Sequence, residues 1–221
     1  MIPTRNVSLV CWVCEESFQV EEPRGYAYLG RGSDLCPRPI GPDPLPQLVH
    51  TCPKCGFAGD GRAFEAAQAD EQVRLWVLAG GLGGVETDGA GCAKYQRAAQ
   101  CHANRRKPSP FQLSEYYLAA SWSAQLEGAP EAAGALQEQA ARYLEQALLE
   151  GEVADGERAI MTYLAGELHR RSGAFQVALQ LFDEAAVEFT RHGGPKWLLC
   201  ALGQQAGLAR EGSAESAELA G

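Results

Sequence analysis

The sequence has no long run of apolar residues and no excess of positive charge. Its longest apolar stretch, from Leu75 to Val85, is interrupted by glycines and is far too short to cross a bilayer. The first residues, Met1 to Arg5, lack the apolar core of a secretory signal, so we expect a cytoplasmic protein without a membrane segment. Cysteines in that compartment are reduced, which favours metal binding over disulfide bonds.

Positively charged side chains are scarce. The 19 Lys and Arg residues are outnumbered by 28 Asp and Glu residues, which gives a formal net charge of −9. Nonspecific binding to nucleic acid needs a basic surface that displaces counterions from the phosphates. The overall charge therefore disfavours nucleic acid as a partner, although it leaves room for a local basic patch.

Motifs of catalysis are also missing. The sequence has no recognisable Ser/His/Asp set, no paired-carboxylate motif and no His-Glu-x-x-His. The glycine-rich residues 80–84 lack the Gly-Lys-Ser/Thr ending of a phosphate-binding loop and the spacing of a dinucleotide fingerprint. We interpret them as a flexible loop and expect no enzymatic activity.

The strongest chemical signal is a set of two Cys-x-x-Cys pairs, Cys11 with Cys14 and Cys52 with Cys55. Four thiolates complete the tetrahedral shell of a zinc ion, and a closed shell predicts structural rather than catalytic Zn²⁺. Gly56 follows the second pair and suits the left-handed turn of such a site. The alternative is a reduced or redox-active dithiol, but neither pair lies at a helix N-terminus beside a βαβ unit.

Other potential ligands are less well placed. Cys36 and His50 lie in the segment between the two pairs, where they could contact the metal-binding sulfurs. The alternatives are a small buried apolar role for Cys36 and a solvent-facing one for His50. Cys92, Cys101 and His102 match no common ligand spacing, and we interpret them as helix-face residues.

Residues 1–60 are rich in proline and glycine and short of helix signals. Apolar or alternating patterns predict strands at 7–12, 17–20 and 47–51, whereas the prolines between 23 and 46 predict irregular, extended backbone. Short strands around two Cys-x-x-Cys turns are typical of a zinc ribbon, in which the metal replaces a core too small to be stable alone.

From residue 61 the composition favours helices. Residues 61–110 are expected to form a connector, with helices at 62–69, 70–78 and 93–104 around the glycine-rich loop. Ser109, Pro110 and Gln112 have the pattern of a helix N-terminus. Five helices are predicted in the segment 111–209, at about 111–126, from 130, and at 157–171, 175–191 and 196–208. The small, polar tail 210–221 is expected to be flexible.

The helical segment carries a repeat-like pattern of small and aromatic residues. Leu164, Ala165 and Gly166 are followed by Gly173, Phe175, Ala178, Phe182 and Ala185, a spacing that matches the tetratricopeptide repeat. The predicted fold class is therefore α+β and mostly α, with a small N-terminal zinc ribbon followed by tetratricopeptide-like helical hairpins.

The chain resembles a bacterial family known as domain-of-unknown-function family 2225. The resemblance is carried by Cys11-Trp12-Val13-Cys14 with Phe18, Ser33-Asp34-Leu35-Cys36-Pro37, Cys52 to Ala58, Phe64, Tyr163 to Leu168 and Arg170 to Gly173. It implies a zinc-ribbon-like module before tetratricopeptide-like helices, and it implies no established activity.

Three hypotheses follow for function. The favoured one is a protein-interaction scaffold, in which the first helix of each hairpin lines a concave surface and Thr162, Glu167 and Arg170 face a protein or peptide partner. The second is nucleic-acid binding through side chains of the ribbon, namely Trp12, Arg24, Tyr26, Tyr28, Arg31 and Arg38. The third is an enzyme or redox sensor that uses Cys36 or the paired thiols. The sequence does not specify the partner or the oligomeric state.

Overall fold

The computed structural model describes residues 3–84 and 91–219. Residues 1, 2, 85–90, 220 and 221, which include the ends of the predicted ribbon module and tail, lie outside the described residues. None of the described helices is long and apolar enough to cross a membrane.

The helices are α1 (Glu71–Leu78), α2 (Gly91–Ala103), α3 (Pro110–Leu126), α4 (Pro130–Glu150), α5 (Asp155–Arg171), α6 (Phe175–His192) and α7 (Lys196–Arg210). The strands are β1 (Thr4–Val10), β2 (Ser17–Pro23), β3 (Tyr28–Arg31), β4 (Pro37–Pro39), β5 (His50–Thr51) and β6 (Ala58–Gly59). The predicted fold class is confirmed.

Three antiparallel strand pairs lie within the described part of the N-terminal third. Strand β1 pairs with β2 from Thr4 opposite Pro23 to Val10 opposite Ser17, and β5 pairs with β6. Each of these two pairs encloses one Cys-x-x-Cys turn, which is the arrangement predicted for a zinc ribbon. The third pair, β3 with β4, forms a hairpin within the proline-rich segment.

Capping residues place the helix ends where the sequence predicts them. The Ser109 hydroxyl accepts a hydrogen bond from the Gln112 backbone N–H at 3.1 Å, and Pro110 is the first residue of α3. Gly173 follows α5 with a φ of +83°, so it supplies the left-handed turn that ends the helix.

The helix predicted at 62–69 is wrong. Two short 3₁₀ turns, Gly61–Phe64 and Ala66–Gln68, occupy this segment, and Glu65 between them is extended. The Ala63 carbonyl accepts a hydrogen bond from the Trp12 indole N–H at 2.8 Å. A tertiary contact to a distant part of the chain thus lies within the segment where the continuous helix was predicted.

Helices α3 to α7 pack as successive antiparallel hairpins around one apolar core. Helices α5 and α6 cross closely at Gly166, where an added Cβ would lie 2.8 Å from the Phe182 ring. The tetratricopeptide pattern places a small residue and an aromatic at such a crossing, so the local packing agrees with the pattern.

The ribbon and the helices share a second apolar core. Leu45 and Val49 precede β5, and both are buried together with Tyr95 of α2 and Leu113 and Tyr116 of α3. The Tyr95 hydroxyl donates a hydrogen bond to the Leu45 carbonyl at 3.0 Å. The segment before the second Cys-x-x-Cys pair is thus packed directly on the helices.

The described part of the segment after α7 contacts α5 and the β3–β4 hairpin, and the flexibility expected for the tail stays a prediction. The Arg170 guanidinium donates hydrogen bonds to the carbonyl oxygens of Ser213 at 2.6 Å and Glu215 at 2.8 Å. The Ser33 backbone N–H donates to the Ala217 carbonyl at 2.9 Å. These hydrogen bonds hold residues 213–217 against α5 and the β3–β4 hairpin. The composition of the tail does not predict them.

Candidate metal centre

The four paired cysteines meet in one cluster. All four Sγ atoms lie within 4.8 Å of one another. Cys11 Sγ is 3.6 Å from Cys55 Sγ, and Cys14 Sγ is 3.5 Å from Cys52 Sγ. A tetrahedral zinc site with Zn–S bonds of about 2.3 Å has S–S edges of about 3.8 Å. The donor set and its dimensions therefore fit a Zn²⁺ ion.

The two Cys-x-x-Cys turns have the same backbone hydrogen bonds. Cys11 N–H donates to the Glu16 carbonyl and Cys52 N–H donates to the Phe57 carbonyl, both at 2.8 Å. In each turn the residue after the second cysteine donates back to the first, Glu15 at 2.7 Å and Gly56 at 3.0 Å. Gly56 has a φ of +78°, which agrees with the left-handed conformation expected from the sequence.

Aromatic and aliphatic side chains hold the two turns together. The Trp12 ring lies edge-on to Phe57 with 4.8 Å between centroids, and Phe57 contacts Phe64 at 5.1 Å. Val73 and Val77 of α1 complete this core. Cys11 and Cys52 are fully buried, so the packing excludes water from one side of the cluster.

The close thiols perturb one another. Hydrogen bonding with Cys11 lowers the pKa of Cys52, and the interaction with Cys52 raises the pKa of Cys11. Hydrogen bonding with Cys11 also raises the pKa of Cys55. Without a cation the cluster holds only part of its potential negative charge. A divalent ion among the four sulfurs would favour the thiolate form of all of them.

Cys36 and His50 are not part of this cluster. The Cys36 backbone N–H donates to Asp34 Oδ1 at 3.1 Å, and burial raises the pKa of the Cys36 thiol to about 12. His50 is buried, its Nε2 lies 3.4 Å from Glu22 Oε1, and burial lowers its pKa. Neither residue brings a ligand atom among the four sulfurs.

The three residues on α2 have local roles. Cys101 is buried in the ribbon core, and Cys92 Sγ accepts a hydrogen bond from Gln96 Nε2 at 3.3 Å. His102 Nε2 accepts a hydrogen bond from the Ser109 backbone N–H at 2.9 Å. Within the described ranges, the four-cysteine cluster is the one group of His, Cys, Asp and Glu side chains placed to share an ion.

The residues predicted to face a partner on α5 are buried. Glu167 and Arg170 have no exposed surface, and Arg170 Nε donates to Glu167 Oε2 at 2.8 Å. Thr162 is also buried, beneath a groove between α4 and α6. Glu167 and Arg170 therefore do not lie on a surface open to a partner, which corrects the expectation from the sequence.

The chain itself covers this side of α5. Ser33 Oγ donates to Glu167 Oε1 at 2.6 Å, and the Tyr163 hydroxyl donates to the Ser33 carbonyl at 2.9 Å. Arg171 Nη1 donates to Asp34 Oδ2 at 2.8 Å. The sequence alone did not place Ser33 and Asp34 on α5, because they are more than 120 residues away along the chain.

A family model described as "Uncharacterized protein conserved in bacteria (DUF2225)" matches residues 5–193. The chain belongs to this family. The matched residues of this DUF2225 protein include all four clustered cysteines and every helix from α1 to α6. Neither the curated proteins nor the solved structures gave a match to this chain. Membership confirms the resemblance seen in the sequence, and the family description carries no activity.

Proposed function

We propose that this DUF2225 protein is a non-enzymatic interaction scaffold whose helices bind a segment of a partner protein. The observation that carries the proposal is a groove of about 590 Å³ between α4, α5 and α6. Leu149 is 89% exposed at its edge, and Val177 and Val187 are 38% and 48% exposed. Exposed apolar side chains that line a common groove are typical of interaction sites.

The acidic side chains around this groove favour a partner segment with positive charge. Its rim carries Glu145, Asp183, Glu184 and Glu188 against Arg158 and Arg191. Glu188 pairs with Arg158 at 3.4 Å and with Arg191 at 3.3 Å, and Glu145 contacts His169 at 2.7 Å. The acidic side chains that remain without an ion pair among the described residues of the rim are Asp183 and Glu184. An amphipathic helix with an apolar face flanked by lysine or arginine fits such a groove in shape and charge.

The metal centre supports a structural role in this scaffold. Four cysteine ligands would leave no open coordination position for a substrate or an activated water molecule. The second Cys-x-x-Cys turn is joined to the shared core by Val49 and Ala58. Zn²⁺ would thus stabilise the ribbon and, through these residues, the packing of α2 and α3.

The nucleic-acid alternative has less support. The Trp12 indole is engaged by the Ala63 carbonyl, and Arg38 is paired with Glu218. Arg38 would have to exchange Glu218 for a phosphate, and the Trp12 ring is packed edge-on against Phe57. Binding of this kind predicts an affinity for single-stranded DNA that falls steeply with salt, so a flat response or no binding at low salt removes it.

The scaffold proposal is tested with a defined peptide pair. One is an amphipathic helix of leucine and lysine, and the other has glutamate in place of lysine. The lysine peptide should bind the zinc-loaded chain by fluorescence anisotropy. The double variant Leu149→Lys and Val187→Lys should weaken binding by about tenfold or more, because it removes apolar contacts and adds repulsion.

A matched control places the same new charge elsewhere. Leu75→Lys changes an exposed apolar residue of α1, 61% exposed and outside the groove, and should leave the affinity unchanged. Equal binding of both peptides, or equal loss in Leu75→Lys and in the groove variant, would reject the proposal.

A further inference from the structure

Residues 213–219, here called the tail segment, lie along the β3–β4 hairpin as an added extended segment. The Ser33 backbone N–H donates to the Ala217 carbonyl at 2.9 Å, and the Leu219 N–H donates to the Arg31 carbonyl at 3.4 Å. The two stretches run antiparallel to each other. Peptides from other proteins add to the edge of a sheet through main-chain hydrogen bonds of this kind.

A buried guanidinium anchors the other end of the tail segment. Arg170 of α5 has no exposed surface, and it donates to the carbonyl oxygens of Ser213 at 2.6 Å and Glu215 at 2.8 Å. Hydrogen bonds from a charged donor are stronger than those between neutral groups. Without the tail segment, these N–H groups of Arg170 would have to find other acceptors. This part of α5 is therefore suited to main-chain carbonyl groups of an extended chain.

The side chains of the tail segment add little to its binding. Four of the seven are exposed to solvent. The Glu218 carboxylate pairs with Arg38 of β4, but both partners are largely exposed, so the pair selects for an acidic residue more than it adds affinity. Leu219 packs against the helical core. Because main-chain contacts do not depend on side-chain identity, another extended sequence can make them.

We propose that the surface formed by residues 31–33, Arg38 and Arg170 binds an extended acidic segment of a partner protein, in exchange for the tail segment. The preferred sequence has an acidic residue followed by an apolar one. Exchange replaces each hydrogen bond by an equivalent one, so it costs less than exposing the buried guanidinium without an acceptor. This surface shares no residue with the groove between α4 and α6, and the proposal is independent of helix binding there.

The probe is a fluorescein-labelled peptide with the sequence of the tail segment, Ser-Ala-Glu-Ser-Ala-Glu-Leu, amidated at its C-terminus. The tail segment begins two residues after the end of α7 at Arg210, so it competes with the peptide at a high effective concentration. In the zinc-loaded full chain, Glu218→Lys replaces the attraction to Arg38 by repulsion and weakens this competitor. Fluorescence anisotropy should show that the variant binds the peptide about fivefold more tightly than the wild type does.

Three controls separate this surface from general charge attraction. Glu211→Lys makes the same charge change at an exposed position before the tail segment, and its affinity should equal that of the wild type. The all-D peptide has the same composition and charge with a mirror-image backbone, and it should not bind. The full-chain variant Arg38→Glu should prefer a peptide with lysine in place of its second glutamate.

Displacement of the tail segment is measured by carboxypeptidase digestion and mass spectrometry of the intact wild-type chain. Saturating amidated peptide, which resists this enzyme, should speed the removal of residues 213–219 severalfold.

Four results would overturn the proposal: no binding to Glu218→Lys, an equal gain in Glu211→Lys, equal binding of the all-D peptide, or an unchanged digestion rate at saturation. Dimerisation of the wild-type chain at micromolar concentration, lost in Glu218→Lys, would assign the surface to the tail segment of a second copy and would also overturn it.

Discussion

Glu15 and Gly56 occupy equivalent positions, each directly after one Cys-x-x-Cys pair. Glu15 has a φ of +63° and Gly56 has a φ of +78°. A left-handed backbone strains every residue with a Cβ and leaves glycine unstrained. The first turn of the metal centre is therefore strained at an exposed side chain, whereas the second is not.

Exchanging these residue types should change stability in opposite directions. Glu15→Gly should raise the free energy of unfolding of the zinc-loaded chain by about 0.5–1 kcal/mol, because it relieves the left-handed strain. Gly56→Ala should lower it by about 1–2 kcal/mol or more, since its Cβ would also lie 2.8 Å from Arg97 Nη1. Urea unfolding measures both, and a destabilised Glu15→Gly variant would contradict the equivalence of the two turns.

His102 predicts a pH dependence of stability. Burial lowers the pKa of His102 from 6.5 to about 4, and its neutral Nε2 accepts the Ser109 N–H. Between these pH values the unfolded chain binds the proton and the folded chain does not. Stability from the neutral imidazole is therefore complete above pH 6.5 and is lost as the pH falls towards about 4.

The comparison variant for this effect is His102→Gln, whose side-chain oxygen can still accept the backbone N–H. Unfolding in urea at a series of pH values should show a smaller loss of stability between pH 6.5 and about 4 for the variant than for the wild type. The difference between the two curves removes the contribution of the cysteine cluster, which both proteins share. If the stability of both proteins fell equally with pH, His102 would not be neutral in the folded chain over this pH range.

At the scale of single elements, the α5–α6 hairpin depends on one close crossing. Gly166→Ala would bring a methyl group to 2.8 Å from the Phe182 ring and 3.2 Å from Leu181 Cβ. Overpacking of this kind typically outweighs the gain in helix propensity, so we expect a loss of about 1–2 kcal/mol.

Gly203 is the matched control, because it lies within α7 and a Cβ added there would meet no atom of another element within 4 Å. Gly203→Ala should raise the free energy of unfolding by up to about 1 kcal/mol through helix propensity alone. If both variants gained stability in thermal unfolding, the close crossing at residue 166 would be wrong.

The helices were largely predictable because their ends are set by local chemistry. Ser109 with Pro110 begins α3, and Gly173 follows α5, as the sequence indicates. The predicted helix at 62–69 is replaced by two 3₁₀ turns around an extended Glu65, and the Trp12 indole from another part of the chain contacts the Ala63 carbonyl there. Local sequence patterns predict helix ends well. They do not predict contacts made by residues that are distant along the chain.

For the whole molecule, a buried ion-pair network joins three distant parts of the chain. Glu167 and Arg170 on α5 bind each other, Arg171 binds Asp34 beside the β3–β4 hairpin, and Arg170 binds the carbonyl of Ser213 in the tail. The sequence marked Glu167 and Arg170 as notable but assigned them to a partner. In the structure, the β3–β4 hairpin and the tail cover these residues of α5. The local sequence around α5 does not indicate this long-range packing.

Arg170→Met should lower the free energy of unfolding by about 3 kcal/mol or more, because it leaves a buried carboxylate with one partner fewer. It should also release the tail, which would then be cleaved faster by a nonspecific protease. The double variant Glu167→Leu and Arg170→Met should recover part of the lost stability, since it removes the uncompensated charge as well. A loss below about 1 kcal/mol for Arg170→Met would show that the network is not coupled to the fold.

The four-cysteine site was the most predictable functional feature, since two Cys-x-x-Cys pairs specify both the ligands and the turn geometry. The sequence did not predict which residues pack the ribbon against the helices. Val49 and Ala58 share a core with α2 and α3, so the centre supports more of the molecule than the N-terminal third alone.

The most direct test of the central claim is X-ray absorption at the zinc edge on the purified chain, with the metal content measured in parallel. We expect one zinc ion per chain, coordinated by four sulfur atoms at about 2.3 Å. The variant Cys52→Ser should lose the bound zinc. A folded chain without zinc, or a zinc ion bound mainly by nitrogen or oxygen, would contradict it.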